Sequence, residues 1–195
     1  MKKLKVESLI LKEKFIHHYQ IKSKLLNFIE DAKDSGLSDH SPKMNDDISK
    51  LDWINANNWE RPWVKNFGSL IQIQLDKFAN VLGFKKSLIQ KLWYQQYIQN
   101  DKHNWHSHEA NYTGVYYLEF NKNNPTTQLL LPSDLNKSFT IDVEEGDFIF
   151  FPCHLIHRAP INTSKERKTI ISFNIELSEI LEEYLKNQNN SEILK

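Results

Sequence analysis

Cysteine is nearly absent: Cys153 is the only one in 195 residues, so no internal disulfide can form, which fits a reducing compartment. An excess of one charge is also missing. The 25 basic and 25 acidic residues cancel, so no whole-protein field draws the chain onto nucleic acid or an anionic membrane. No apolar run approaches the ~20 residues of a membrane span. The start, MKKLKVESLILKEKF, carries lysines as a signal peptide does, but its apolar stretch SLIL is short and Lys12, Glu13 and Lys14 interrupt it. The reading is a cytoplasmic protein. Internal repeats and low-complexity tracts are lacking too, and the length suits one domain.

What the chain has in abundance is aromatic side chains, 12% of residues, which speaks for a rigid core or a stacking-rich pocket. Residues 4–30 mix Leu, Ile and Phe with lysines and read as helical and irregular, and residues 31–47 read as a polar connector. Phe67, Leu70, Ile71, Leu75, Phe78, Val81 and Leu82 recur at three- and four-residue steps before Gly83, which predicts an amphipathic helix over 66–82 with a glycine cap. After Gly83 come short runs rich in aromatics and β-formers: 91–99, 112–120, 126–131, 138–143, 147–151 and 167–176. Turn-forming clusters separate them, and no helical period intervenes, which describes an antiparallel sandwich or barrel. The expected organisation is a single domain: a helical region over 1–85, a β core over 86–177, and a C-terminal helix and tail over 178–195. The helical first third could serve as a lid or a homodimer surface.

Five of the eight histidines, His103, His106, His108, His154 and His157, fall within 55 positions of this β region. If 106–108 is extended, His106 and His108 project to one side and can chelate one divalent ion. His157, after the apolar run DFIFFP, is the natural third ligand. His103 reads as a loop residue, and His154 as structural or supporting. His-x-His by itself is a weak pattern. Arg167 adds to it, lying 167 − 157 = 10 residues after His157, which is one strand, one turn and the start of the next strand. A guanidinium holds a carboxylate through two parallel hydrogen bonds, and Thr169, two positions on, shares its face. On this reading Ile171 and Phe173 continue the barrel interior.

The segments WHSHEANYTGVYYLEF and GDFIFFPCHLIHRAPINTSKERKTIISFNIEL together resemble the core of the 2-oxoglutarate/iron(II) oxygenase superfamily, and more narrowly a group of uncharacterised bacterial and phage oxygenases. The resemblance covers Leu92 to Leu177. It implies a mainly β protein with flanking helices around a double-stranded β-helix (a cupin-like jelly roll), with Fe(II) and 2-oxoglutarate as cofactors. It implies His106 and His157 as iron ligands and Arg167 as the anchor of the 2-oxoglutarate C5 carboxylate, supported by Thr169. Tyr112, Tyr116 and Tyr117 read mainly as core aromatics, with Tyr116 a candidate hydrogen-bond partner of the cosubstrate; Asn174 and Trp105 are weaker pocket candidates. The superfamily has Asp or Glu two residues after the first histidine, where this chain has His108, and Glu109 comes one residue late. Three readings stay open: three histidine ligands, which we favour; a shifted register; or a relative that binds without turnover. The expected activity is dioxygenase hydroxylation of a small molecule or peptide, releasing succinate and CO2. The alternatives are a three-histidine cupin-like metalloprotein that does not use 2-oxoglutarate, and a non-catalytic β-barrel binding module.

Overall fold

The computed structural model describes residues 7–32 and 47–186; most of the connector, His40 with it, and the C-terminal tail lie outside the described residues. In chain order the elements are β1 (Leu11–Lys14), α1 (His18–Asp31), β2 (Lys50–Leu51), a short 3-10 turn (Trp53–Asn55), α2 (Pro62–Val81), β3 (Phe84–Tyr97), β4 (His103–His106), β5 (Tyr112–Glu119), β6 (Gln128–Leu131), β7 (Asp134–Thr140), β8 (Asp147–Pro152), β9 (His157–Ala159), β10 (Lys168–Ile180) and α3 (Glu182–Lys186). The strands form two antiparallel sheets. The larger has the order β1-β8-β5-β10-β3-β2 and the smaller β4-β9-β6-β7. Facing sheets of this kind are the jelly-roll arrangement that the sequence led us to expect.

Two apolar layers result, one on each side of the larger sheet, and alternation along the strands assigns residues to them. On the outer face, Tyr94, Tyr116, Phe148, Phe150, Ile171 and Phe173 meet α1 and α2. On the inner face, Trp93, Tyr97, Val115, Tyr117, Ile149, Phe151 and Ile170 meet the smaller sheet. A strand buried on both faces shows no polar alternation, which is why DFIFFP and GVYYL read as continuous apolar runs.

The α2 helix forms because Trp63, Val64, Phe67, Ile71, Leu75 and Phe78 line one stripe, with Pro62 in its first turn, where a missing N–H costs nothing. Gly83 follows it with φ +86°, the left-handed conformation that a side chain disfavours. Phe67, Ile71 and Leu75 have no exposed surface, and each contributes roughly 1.5–3 kcal/mol of burial. Within 4–30 the expectation of helix holds for α1 but not for Leu11–Lys14, which is a strand. It covers the edge of β8, which would otherwise present unpaired backbone groups, and it turns Lys12 and Lys14 toward Asp147, with Lys14 Nζ 2.8 Å from the carboxylate. The strand runs lie where expected, within a few residues, with β3 and β10 longer at their Gly83-side and C-terminal ends; β2, β4 and β9 are additional.

At Gly114, the third residue of β5, a Cβ would stand 2.4 Å from the Ile149 carbonyl oxygen and 2.4 Å from the Phe173 ring. Glycine is needed there because backbone and ring both occupy the space. Gly114→Ala should therefore destabilise the protein by about 1–3 kcal/mol, read in thermal unfolding as a fall of roughly 2–4 °C per kcal/mol. An unchanged melting temperature would show that β5 and β8 are not this closely apposed.

Candidate metal centre

The smaller sheet carries the histidines. β4 and β9 pair antiparallel with His106 opposite His157, so both imidazoles project from the same face toward the larger sheet. His108 lies just beyond β4, where its backbone N–H donates to the Cys153 carbonyl (3.1 Å) and brings the chain back over the cavity. One nitrogen from each of His106, His108 and His157 can be chosen so that all lie within 4.8 Å of one another. The sequence-predicted trio is thus brought together.

Two hydrogen bonds fix the tautomers. His106 Nδ1 is 2.6 Å from the Asn104 carbonyl, and His157 Nδ1 is 2.9 Å from the Leu155 carbonyl. A carbonyl only accepts, so each Nδ1 carries the proton and each Nε2 turns a lone pair to the cavity, as a metal ligand must. Burial, with neighbouring imidazoles adding to it, pushes His157 well below its ordinary range and His108 down to about 3. His108 and His157 are therefore neutral at physiological pH, the state that binds metal. No carboxylate belongs to the cluster, and Glu109 is exposed. The donor set fits a divalent metal with an affinity for imidazole, iron or zinc among them.

His103 is not a loop residue. It sits in β4, its ring stacks on His106 at 3.9 Å between centroids, and Gln95 Nε2 lies 3.3 Å from its Nδ1. His154 is exposed and does not reach the cavity. Trp105 lies between the inward-facing neighbours of β4 and carries the Arg158 guanidinium 4.4 Å over its ring.

The other predicted residues lie elsewhere. Arg167 is on the helix side of the larger sheet: Nε and Nη2 donate to Glu119 (2.7 and 3.1 Å), and Nη1 pairs with Glu30 of α1. The Glu119 hydrogen bonds hold its proton more firmly than usual. Thr169, on the same face, donates to Glu119 (2.7 Å) and accepts from Gln96 (3.1 Å). Tyr116 stacks on Phe148 and sits 2.7 Å from His18 Nδ1 in the helix-side layer. The physical reason is strand parity. Ile170 and Ser172 line the histidine cavity, so the even positions of β10 face inward, whereas 167, 169, 171 and 173 face the helices.

The basic residue on the inward face is Lys168, which sequence reasoning passed over. It pairs across the sheet with Tyr97, its ammonium lies 4.5 Å over the Tyr97 ring, and Nζ donates to the Pro125 carbonyl (3.1 Å). It is 2% exposed, and among the described residues no carboxylate pairs with it. Burial alone brings it down to about 7 from an ordinary 10.5. Near it, Tyr117 donates to Thr127 Oγ1 (2.8 Å), and Tyr97, Thr127 and Ile170 line the same cavity as the histidines. The available signal was the contrast between the inward set Lys168, Ser172, Asn174 and the apolar outward set Ile171, Phe173, Ile175.

No family model matches this sequence, and no curated protein matches it. Solved structures do. The chain is similar to a viral collagen prolyl hydroxylase from Paramecium Bursaria Chlorella virus-1 solved with 2OG (16% identity, TM-score 0.59, 85% of this chain and 94% of that one). It is similar to a Pseudomonas putida prolyl-4-hydroxylase (10%, 0.60, 85% and 91%) and to a non-heme alpha-ketoglutarate-dependent carbocyclase from nogalamycin biosynthesis (11%, 0.64, 97% and 90%). At these identities the likeness concerns the fold: the chain has the double-stranded β-helix fold of the iron(II)/2-oxoglutarate oxygenases.

Proposed function

We propose that the protein is an iron(II)- and 2-oxoglutarate-dependent oxygenase that hydroxylates its substrate. The observation that carries this reading is a cavity lined by three metal-competent imidazoles, with a buried lysine on the same inward sheet face, beside the cavity-lining Tyr97, that has no carboxylate partner among the described residues. His106, His108 and His157 would hold the iron, with the cosubstrate beside it in the same cavity. Bound there, iron supplies oxygen activation: one O2 and one 2-oxoglutarate are consumed, one oxygen atom enters a substrate C–H bond and the other enters succinate, and CO2 leaves.

Lys168 takes the part that the sequence assigned to Arg167. A buried ammonium without an anion is unfavourable, and a dicarboxylate whose far end reaches it supplies the missing charge. Thr127, which accepts a hydrogen bond from Tyr117, adds a hydroxyl to the cavity lining. The sheets on either side exclude water, which strengthens that pairing and protects the reacting atoms. The cupin-like reading without 2-oxoglutarate leaves the buried lysine without a role.

Three outcomes are expected. Fe(II), or Co(II) as a redox-stable stand-in, at a hundredfold excess over Kd should stabilise the protein by about 2.7 kcal/mol, or roughly 5–11 °C in melting temperature. His157→Ala should abolish that gain, and His154→Ala should keep it. Anaerobic Fe(II) with 2-oxoglutarate should give a visible charge-transfer band. Lys168→Met should weaken its half-saturation by about a hundredfold or more, the scale of a lost partner in a buried charge pair, while Arg167→Ala should leave the band in place; the reverse pattern would sink the assignment.

The pH dependence follows from Lys168. Between about 7 and 10.5 the unfolded chain holds this proton and the folded, unliganded chain does not, so stability rises with pH through that window. A carboxylate beside the ammonium favours the protonated form, so 2-oxoglutarate binding takes up a proton above about 7. Its affinity should fall about tenfold per pH unit there, as titration calorimetry in buffers of different ionisation enthalpy would register.

A further inference from the structure

The inward face of the larger sheet forms a ladder in register. Tyr97 pairs with Lys168, Gln95 with Ile170, Trp93 with Ser172, and Lys91 with Asn174. It therefore has a lysine at each end. Six residues of strand separate Lys91 from Tyr97, roughly 20 Å, so a single 2-oxoglutarate held at Lys168 does not reach Lys91. The far end is a second subsite.

Its contents point to a ligand. Asn174 is 3% exposed, and its Oδ1 is buried with no hydrogen-bond partner. A buried acceptor left unpaired costs about 1–3 kcal/mol, so such groups in native proteins call for an explanation. Across the sheet on either side of Asn174 stand Lys91 and Thr113, and Thr113 lines the histidine cavity. The Lys91 ammonium forms no ion pair among the described residues and lies 4.4 Å over the Trp53 ring. Trp53 packs edge-on against Trp93 (4.6 Å) and lies beside His108 (6.5 Å), so the cation sits next to the metal centre with an aromatic wall at its back. The Thr113 hydroxyl is already committed to the Phe173 carbonyl (2.9 Å), which leaves Asn174 Oδ1 as the acceptor for a ligand.

We propose that Lys91 and Asn174 form the substrate head-group site, taking a carboxylate on Lys91 and an adjacent N–H or O–H donor on Asn174 Oδ1. That chemistry belongs to a free amino acid, a hydroxy acid or the C-terminal residue of a peptide. The inference rests on the oxygenase reading above, because it places that head group within reach of the proposed iron.

The test uses the full-length protein with Fe(II) and 2-oxoglutarate under anaerobic conditions. The charge-transfer band forming at all is the check on the oxygenase reading, and its absence would overturn both. With the band present, three panels are added: the twenty L-amino acids, their α-hydroxy acids, and dipeptides with free or amidated C-termini. The readouts are a shift of the band, binding heat, and succinate release once air is admitted. At least one free carboxylate compound should bind, and its amide should bind at least tenfold more weakly. The panel that responds separates free acid from peptide. Lys91→Gln should raise that compound's Kd at least tenfold, Lys91→Arg should restore much of it, and the half-saturation of 2-oxoglutarate should stay as in the parent protein. Asn174→Ala, which removes the unpaired acceptor, should weaken the compound too. If no panel member binds, if acids and amides bind alike, or if Lys91→Gln binds as the parent does, the proposal fails.

Discussion

Everything in this protein hangs on β10 being paired on both sides, with β3 along one edge and β5 along the other. A strand held twice has its register fixed twice, and both of its faces are covered. Once Ser172 is set opposite Trp93 and Val115, every second residue of three strands is committed to the cavity and every other one to the helices. The three strands then meet the histidine sheet with a single set of side chains. Lys168, Ile170, Ser172 and Asn174 are successive inward steps of one alternation, and Ile170 and Ser172 line the cavity.

The sequence showed much of this. A period of three to four between Phe67 and Leu82 is strong enough to specify α2, and the runs around Tyr112–Glu119 and Asp147–Pro152 gave their strands because aromatic and β-branched residues cluster there. The histidine trio was legible because alternation relates His106 to His108 and because the turn after β8 returns His157 to them. The side of β10 was not. Two basic residues stand together at its start, both faces are buried, and composition alone does not say which face meets a helix and which a second sheet. Leu11–Lys14 was missed for a related reason: four residues carry no period, and their state is decided by the vacant edge of β8, a tertiary circumstance. His103 looked solitary because its partner relationship is a ring stack, which spacing does not announce.

The electrostatics of the cavity are unusual in being assembled from absences. Burial keeps His108 and His157 neutral, no carboxylate accompanies them among the described residues, and the nearby lysine is driven toward neutrality by burial. The charge the protein itself supplies here is cationic, in the Arg158 guanidinium that lines the cavity and the Lys91 ammonium over Trp53. A divalent cation and a dicarboxylate brought in together cancel in total charge, which is the combination a buried cavity accommodates at least cost. On the back of the same sheet the opposite holds: Arg167 is saturated by Glu119 and Glu30, and it ties α1 to the strand on which Lys168 stands.

That adjacency makes the turn before β10 a place where sequence length matters more than sequence identity. Arg167 and Lys168 are one peptide apart and belong to different compartments. A single-residue insertion or deletion in 160–166, propagated into the strand, would exchange them, delivering a guanidinium to the cavity and an ammonium to Glu119. A guanidinium cannot shed its proton, whereas this lysine can. The choice between a permanently charged anchor and a titratable one is thus written in the parity of one short loop.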